Sequence, residues 1–280
     1  QTLHLANRGL TPDEIAEEMK LPASLASQFN CRGYYGTLSH NVKAQYDLYF
    51  GWFNGNPAHL DPLPPSELGA KYVEAIGGAD KVLEVAKASY AKGEYRWVAT
   101  LLDNLVFAEP ENKEARQLLA DTYTQLGYQA ESGPWRNFYL TGARDLFKKD
   151  VPYTSQLIND GVLAQMDMGT LLDYCAIQLN GEKAGGKEVV ININFTDTKE
   201  KVILMLNNSV LNHRLGSQDE KADLTMEIAK MDFVKLFFGR TDLQTLSKMN
   251  KVKTIGDTKA IDIIRSACEP ADPNFNIVLP

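Results

Sequence analysis

Residues 93–127 read GEYRWVATLLDNLVFAEPENKEARQLLADTYTQLG, and this stretch decides the fold of the first half of the chain. Apolar residues recur at helical spacing on both sides of Glu109-Pro110-Glu111-Asn112, which is expected to form a turn. Small residues stand where the two helices would cross. The stretch therefore predicts a pair of packed helices.

The helical pattern repeats along the chain. Ala86 and Ala120 lie 34 residues apart, and so do Gly93 and Gly127. A period of about 34 residues is typical of tetratricopeptide helix pairs, so we expect a helical array over residues 66–142. Two such units are fewer than an independent solenoid needs. We therefore expect the array to bury its open face on another domain or on a second copy of itself.

Shorter helices are predicted upstream of this array. Thr11-Pro12-Asp13-Glu14 has the signature of a helix start, with Thr as N-cap and Glu three residues later. This helix is expected to end before Pro22, and a second helix to run from there to about Phe29. A third helix is predicted over residues 41–53. It has four apolar or aromatic residues at helical spacing: Val42, Tyr46, Tyr49 and Phe53.

Residues 31–57 combine hydrogen-bonding aromatic side chains, one arginine and several glycines. A plain core segment would be rich in Leu, Ile and Val instead. Aromatic rings with polar tips beside a fixed cation can hold a polar or anionic group next to an apolar one. An aromatic core beneath a loop is the alternative, and composition leaves both open.

The pattern changes beyond residues 150–152, where composition predicts a domain boundary. An amphipathic helix is expected over residues 163–179. The alternation in EVVININF, residues 188–195, then predicts a half-buried strand, and Asn207-Asn208 a hairpin turn. Further strands are expected at 201–206, 209–214, 222–228 and 252–256, and helices at 230–238 and 258–268. This order favours an α+β domain with a mostly antiparallel sheet.

Composition excludes several classes of partner. The 280 residues carry a net charge of −7 without a basic stripe, which argues against nucleic acid as a partner. No apolar run reaches transmembrane length. The three cysteines, Cys31, Cys175 and Cys268, lie far apart without metal-ligand spacing, so buried free thiols are expected. The polar start at Gln1 lacks an initiator Met, and we interpret the chain as a fragment of a longer protein.

Motifs that would reveal a reaction are missing from the sequence. The four histidines are scattered, so no local metal site is predicted, and P-loop, GxGxxG and GxSxG patterns are absent. From the residues alone, the chain is a helical domain followed by an α+β domain, with a role in interaction or binding.

Five further segments carry a resemblance to a known family. They are RGYYGTLSHN (32–41), YFGWFNGNPAHLDPLPP (49–65), GGADKVL (77–83), KGEYRWVATLLDNLVFAEPEN (92–112) and LGYQAESGPWRNFYLTGA (126–143). They resemble the region after the catalytic domain of zinc-dependent alkylsulfatases, the dodecyl-sulfate-hydrolysing members of the metallo-β-lactamase superfamily. ADLTMEIAKMDFVKLFFGRTDL (222–243) and GDTKAI (256–261) are similar to the end of a sterol carrier protein domain.

The resemblance implies a domain organisation and a role. Residues 1–31 would end the catalytic domain, residues 32–150 would form a helical dimerisation domain, and residues 151–280 a sterol-carrier-like α+β domain. The whole protein would use two zinc ions to hydrolyse alkyl sulfates to alcohol and sulfate. The family's clustered His and Asp motif is missing here, so this chain would supply homodimerisation and aliphatic-chain binding without activity of its own. The resemblance also implies a periplasmic or secreted protein. A non-enzymatic lipid carrier or scaffold sharing these domains is the alternative.

Two sets of candidate binding residues follow, and neither a catalytic nor a metal residue is predicted in this chain. Arg32, Tyr34, Tyr35 and His40 would hold the sulfate head group, with helix capping as the alternative role for His40. Five residues are candidates to line an aliphatic-chain site, with core packing as the alternative for most: Phe233, Leu236, Phe237, Phe238 and Leu246.

Overall fold

A computed structural model describes residues 1–147, 159–272 and 275–280. The chain forms two units, residues 1–151 with 275–280 and residues 152–274. The predicted boundary at 150–152 lies outside the described residues. Helices make up the first unit: α1 (Thr2–Ala6), α2 (Pro12–Glu18), α3 (Ala23–Ala26), α4 (Leu38–Phe50), α5 (Pro65–Ile76), α6 (Ala79–Ala91), α7 (Tyr95–Ala108), α8 (Lys113–Gln129) and α9 (Gly133–Asp145).

The N-terminal helices pack on α4. The predicted capping box is confirmed at α2, where Glu14 N donates to Thr11 Oγ1 at 3.4 Å and Thr11 N to Glu14 Oε2 at 2.8 Å. Ile15 of α2 is fully buried in a small core with Leu5 and Val42. Helices α1 and α2 therefore pack on α4, and the predicted division at residue 31 stays a prediction.

The bounds predicted for the third helix were wrong at both ends. Thr37 Oγ1 accepts a hydrogen bond from His40 N at 2.9 Å, and this cap starts α4 at Leu38. The helix ends at Phe50 because Gly51 has φ +76°, a conformation that favours glycine. Phe53, expected on the helix, lies beyond it.

Part of the predicted repeat is visible in the helix spacing. Helix α6 begins at Ala79 and α8 at Lys113, 34 residues later, and Ala86 and Ala120 are both buried. The glycines do not correspond, since Gly93 lies in the α6–α7 turn with φ +78° whereas Gly127 is buried inside α8. The tetratricopeptide assignment itself stays a prediction.

Helix α7 is the centre of the first unit, and α5, α6 and α8 pack around it. Five of its apolar side chains are buried: Val98, Leu101, Leu102, Leu105 and Val106. Helix α5 approaches α7 most closely at Gly69, where an added Cβ would lie 2.5 Å from the Asn104 carbonyl oxygen. Only glycine permits this separation of the two backbones.

The last six residues group with the helical unit by their contacts. Leu279 is buried in the same core as Leu146 of the helical unit, and Val278 packs at its edge. Val278 Cγ1 also lies 3.5 Å from where a Cβ on Gly142 would stand, so Val278 packs against α9. The burial of these two apolar side chains explains why the chain returns to the first unit.

The second unit contains a five-stranded sheet with helices. The helices are α10 (Asp160–Gln165), α11 (Met168–Ala176), α12 (Gly181–Ala184), α13 (Lys230–Phe237), α14 (Leu243–Lys248) and α15 (Lys259–Ser266). The strands are β1 (Val189–Phe195), β2 (Lys201–Asn207), β3 (Val210–Leu215), β4 (Leu224–Ile228) and β5 (Val252–Gly256). Their order is β3-β2-β1-β4-β5, and β1 and β4 are parallel while the other neighbours are antiparallel. The predicted α+β domain with a mostly antiparallel sheet is confirmed.

The helix predicted over residues 163–179 is two helices. Asp167 breaks it by capping α11, since Asp167 Oδ1 accepts a hydrogen bond from Thr170 N at 2.9 Å. Lys230 is buried beside this break, and its Nζ donates to the carbonyls of Ala164, at 3.0 Å, and Met166. A charged group thereby satisfies two backbone acceptors that the break leaves without helical partners.

Two further details differ from expectation in the second unit. The β2–β3 turn is centred on Asn208 and Ser209, with φ of +48° and +61°, one residue later than predicted. The sequence analysis missed α14, although Asp242 caps it by accepting a hydrogen bond from Thr245 N at 2.7 Å.

Replacing Gly69 by Ala is expected to destabilise the helical unit by about 2 kcal/mol or more, because the new methyl group would clash with the α7 backbone. Gly133→Ala is the matched control. Its Cβ would meet ordinary contacts near 3.7 Å at the first turn of α9, so stability should be unchanged or rise by up to about 1 kcal/mol. Chemical denaturation of both variants measures the difference, and equal effects would contradict the close α5–α7 approach.

Candidate functional site

The loop of residues 32–37 is fastened to the α8–α9 turn, nearly 100 residues away in sequence. Gly133 N donates to the Tyr34 carbonyl and Ser132 Oγ to the Tyr35 carbonyl, both at 2.8 Å. Ser132 is also the N-cap of α9. The loop needs glycine at position 33, since a Cβ there would lie 2.9 Å from the Gly36 carbonyl oxygen.

Arg32 is paired with an acid that sequence analysis missed. Arg32 Nε donates to Glu131 Oε1 at 2.8 Å, and Nη2 contacts the same oxygen. The guanidinium carbon also lies 5.4 Å from the centre of the Tyr34 ring, within cation–π range. Arg32 is thus held in one position, and an incoming anion would meet the Glu131 carboxylate beside it.

The other predicted head-group residues lie close in sequence but have different environments. Tyr35 is 85% exposed and Tyr34 43%. His40 Nδ1 accepts a hydrogen bond from Trp135 Nε1 at 3.4 Å, so its side chain links α4 to α9. The residue that caps α4 is Thr37, and His40 takes part in this cap only through its backbone N–H, which donates to Thr37 Oγ1.

An open cavity of about 940 Å³ adjoins this loop. Arg32, Thr37, Glu131 and Trp135 are among its lining residues. Lys20 also lines it, so the cavity places two cations, one carboxylate and an aromatic ring around a single space. Sequence analysis found Arg32 but not Glu131 or Trp135, because Glu131 in the α8–α9 turn and Trp135 on α9 lie about 100 residues further along the chain.

The five candidate lipid-lining residues meet in the core of the second unit. Phe233 packs edge-on against Phe195 and contacts Phe237, whose ring lies 5.4 Å from that of Phe238. Leu236 and Leu246 belong to the same cluster, in which Phe238 is partly exposed. An aliphatic chain could enter here only by displacing these ring contacts.

Of the three predicted buried thiols, only Cys175 is fully buried; Cys31 and Cys268 are partly exposed. Burial raises the pKa of the Cys175 thiol, with a smaller contribution from Cys268. Cys175 therefore stays protonated and unreactive at neutral pH.

Sequence analysis missed an apolar groove in the helical unit, with a volume of about 570 Å³. Helix α5, helix α7 and the proline-rich loop before α5 form its walls. Its lining includes Leu63, Leu68, Tyr72, Trp97, Leu101 and Phe107. Among the described lining residues, Asp103 is the one charged group, and desolvation by the surrounding protein raises its pKa.

A search of the described residues for a metal site or a membrane-spanning helix found neither. Among residues 1–147, 159–272 and 275–280, no three His, Cys, Asp or Glu side chains come together as metal ligands. Within the same ranges no helix has the length and hydropathy needed to cross a bilayer.

Comparisons with known proteins match both units. A family model described as alkyl sulfatase dimerisation matches residues 11–149, and one described as alkyl sulfatase C-terminal matches residues 156–280. A linear primary-alkylsulfatase from Pseudomonas sp. is 45% identical over the whole chain. An alkyl/aryl-sulfatase from Saccharomyces cerevisiae is 40% identical over the whole chain.

A solved structure extends these matches to the fold. The stereoselective inverting sec-alkylsulfatase Pisa1 from Pseudomonas sp. aligns with the whole chain at a TM-score of 0.93 and 42% identity, over 44% of its own length. The chain spans 42% of the primary-alkylsulfatase and 43% of the yeast sulfatase. Each relative therefore contains more than half of its length outside the matched region.

Ser132→Ala should destabilise the helical unit by about 1–3 kcal/mol, because it removes both the α9 cap and the donor to the Tyr35 carbonyl. Ser27→Ala removes a hydrogen bond on an exposed turn and should change stability by less than about 0.5 kcal/mol. Urea unfolding measures both variants. Equal losses would show that Ser132 does not fasten the loop.

The raised pKa of Asp103 predicts a pH dependence of stability. The unfolded chain loses this proton at lower pH than the folded chain, so the contribution of Asp103 is greatest at low pH and declines as pH rises from the ordinary value of 3.8 through the folded value. Asp103→Asn should abolish this decline. At pH values above the folded pKa of Asp103, the variant should therefore be more stable than the unsubstituted protein. The expected gain is below about 1 kcal/mol, because water still reaches the carboxylate. Unfolding midpoints of both proteins from pH 3 to 7 provide the measurement, and parallel curves would contradict it.

Proposed function

This chain belongs to the alkylsulfatase family, and we propose that it forms the dimerisation and C-terminal parts of an enzyme that hydrolyses alkyl sulfate esters, such as dodecyl sulfate, to an alcohol and sulfate. The observation that carries the proposal is the pair of family models matched in tandem, with relatives 40–45% identical over the whole chain. A non-enzymatic carrier sharing these domains has no comparable support.

The proposal assigns the chemistry to another part of the protein. The described residues offer no set of ligands for the two zinc ions implied by the resemblance. The zinc ions would belong to the catalytic part of the longer protein. The periplasmic or secreted location likewise stays a prediction.

The role proposed for Arg32 and the tyrosines is to hold the sulfate head group. Arg32 lines the open cavity and is fixed by Glu131, so its guanidinium is positioned before a ligand arrives. Tyr35 is largely exposed and free to meet a second surface. The negative charge of Glu131 would repel an anionic head group. Removing the charge of Arg32 should therefore weaken binding of the head group, and removing the charge of Glu131 should strengthen it.

In the full-length enzyme, Arg32→Ala should lower kcat/KM for an alkyl sulfate by about 10- to 100-fold, the loss expected for a charge-assisted hydrogen bond. Tyr35→Phe should lower it by less. Glu131→Gln, which removes the competing charge, should lower KM. Arg240→Ala is the matched control, since Arg240 forms a similarly exposed ion pair with Asp160. If the Arg32 and Arg240 variants behave alike, Arg32 has only a packing role.

We also propose aliphatic-chain binding by the second unit, from its resemblance to sterol carrier proteins. Transfer of each buried CH₂ contributes roughly 0.8 kcal/mol, so a long chain could offset the displacement of the Phe233, Phe237 and Phe238 ring contacts. Titration of dodecyl ligands below their micelle concentration should give a saturable signal that Phe238→Ala changes. A linear, non-saturable response would contradict this role.

A further inference from the structure

Lys20 is a cation at the open cavity that no carboxylate neutralises. It follows α2 and lines the cavity together with Arg32 and Glu131. Within the described part of the chain Lys20 forms no ion pair, whereas Arg32 Nε donates to Glu131 Oε1 at 2.8 Å. The Arg32–Glu131 pair carries no net charge. The positive charge that remains at the cavity is therefore that of Lys20.

The charged side chains around the cavity leave a single excess positive charge. Lys20, Arg32 and Glu131 are the charged residues among its described lining, although the whole chain carries a net charge of −7. The polar lining is otherwise neutral and includes Asn30, Thr37 and Asn41. Amide and hydroxyl groups can donate hydrogen bonds to the oxygens of an anion, but they do not balance its charge. The cavity is therefore matched to an anion with one negative charge.

Anions with one and with two charges differ in how well they suit such a cavity. The attraction of an anion to a fixed charge grows in proportion to the charge of the anion. The cost of removing the anion from water grows with the square of that charge. One excess positive charge can thus offset the dehydration of a monoanion better than that of a dianion.

We propose that this charge balance makes the cavity selective for sulfate monoesters, which carry one negative charge, over dianions such as inorganic sulfate. Lys20 supplies the balancing charge, and Glu131 prevents the binding of a second negative charge because it cancels the charge of Arg32. The inference rests on the proposed function and extends it to the choice of substrate and the release of product.

Hydrolysis would itself change the charge at the cavity. The reaction consumes one water molecule and converts the monoanionic ester into a neutral alcohol, a sulfate dianion and one proton. The substrate therefore matches the cavity, and the anionic product does not. Glu131 repels both anions but repels the dianion more. This explains why a carboxylate stands at a site for an anion: it favours the release of sulfate.

Titration of the 280-residue chain with octyl sulfate and octyl phosphate tests the selectivity. The two ligands have the same tail, and at pH 8 the phosphate is a dianion. Concentrations stay below micelle formation, and a fixed ionic strength keeps screening constant. Trp135 lines the cavity, so the fluorescence change that a Trp135→Phe variant lacks reports binding there.

The unsubstituted chain should bind octyl sulfate more tightly than octyl phosphate. Glu131→Gln should tighten the binding of both ligands, and that of octyl phosphate by about 5-fold more, because the variant leaves a second excess positive charge. Lys20→Gln should weaken the binding of octyl sulfate by about 5-fold. An unchanged ratio of the two affinities in Glu131→Gln would overturn the proposed charge balance.

Lys92→Gln is the matched control for the Lys20 variant. Lys92 is also exposed and has no ion pair within the described ranges, but it does not belong to the described cavity lining. This variant should leave both affinities unchanged. If the Lys20 and Lys92 variants bind octyl sulfate equally well, Lys20 does not supply the balancing charge and the inference falls.

Inhibition of the full-length enzyme by inorganic sulfate separates this inference from the proposed function. Glu131→Gln should be inhibited at about 5-fold lower sulfate concentration than the unsubstituted enzyme. Equal inhibition in an enzyme that hydrolyses alkyl sulfates would overturn the charge balance and leave the proposed function standing. A full-length protein that hydrolyses no alkyl sulfate would refute the proposed function, and this inference with it.

Discussion

The helical unit depends on the close approach of α5 to α7 at Gly69. With the Asn104 carbonyl only 2.5 Å from where a Cβ would lie, the two backbones are in contact at this point. The helices cannot stay equally close along their whole length, and the apolar groove lies beside this contact. Buried α7 residues such as Leu102 and Leu105 hold the arrangement from the other side. One missing methyl group thus lets α5 and α7 meet beside the apolar groove.

Local patterns predicted much of the fold because their causes are local. The alternation in residues 188–195 predicted β1, and the Thr11 capping box is formed by residues three apart. The errors arose where a polar side chain interrupts an apolar pattern. Asp167 divides an amphipathic run into two helices, and Thr37 starts α4 three residues before the expected position. Both residues are N-caps whose effect on the backbone outweighs the periodicity around them.

The candidate site shows a different limit of sequence analysis. Arg32 was identified from its neighbours in the chain, but its ion-pair partner, Glu131, lies 99 residues away. The α8–α9 turn brings them together because Gly133 N donates to the Tyr34 carbonyl and Ser132 Oγ to the Tyr35 carbonyl, two contacts that local periodicity does not encode. The sequence therefore predicted a set of residues with unusual chemistry. It did not predict that a carboxylate would stand beside the cation of that set.

The return of the C-terminal residues to the helical unit has a consequence for biosynthesis. Residues 152–274 are inserted between α9 and the segment that contributes Val278 and Leu279 to the helical core. A ribosome must therefore make the whole sheet unit before that core can close. During this interval the first unit would expose apolar surface near Leu146, and the second unit can fold before the first is complete. The helical core thus reaches its full packing only when the last residues of the chain have left the ribosome.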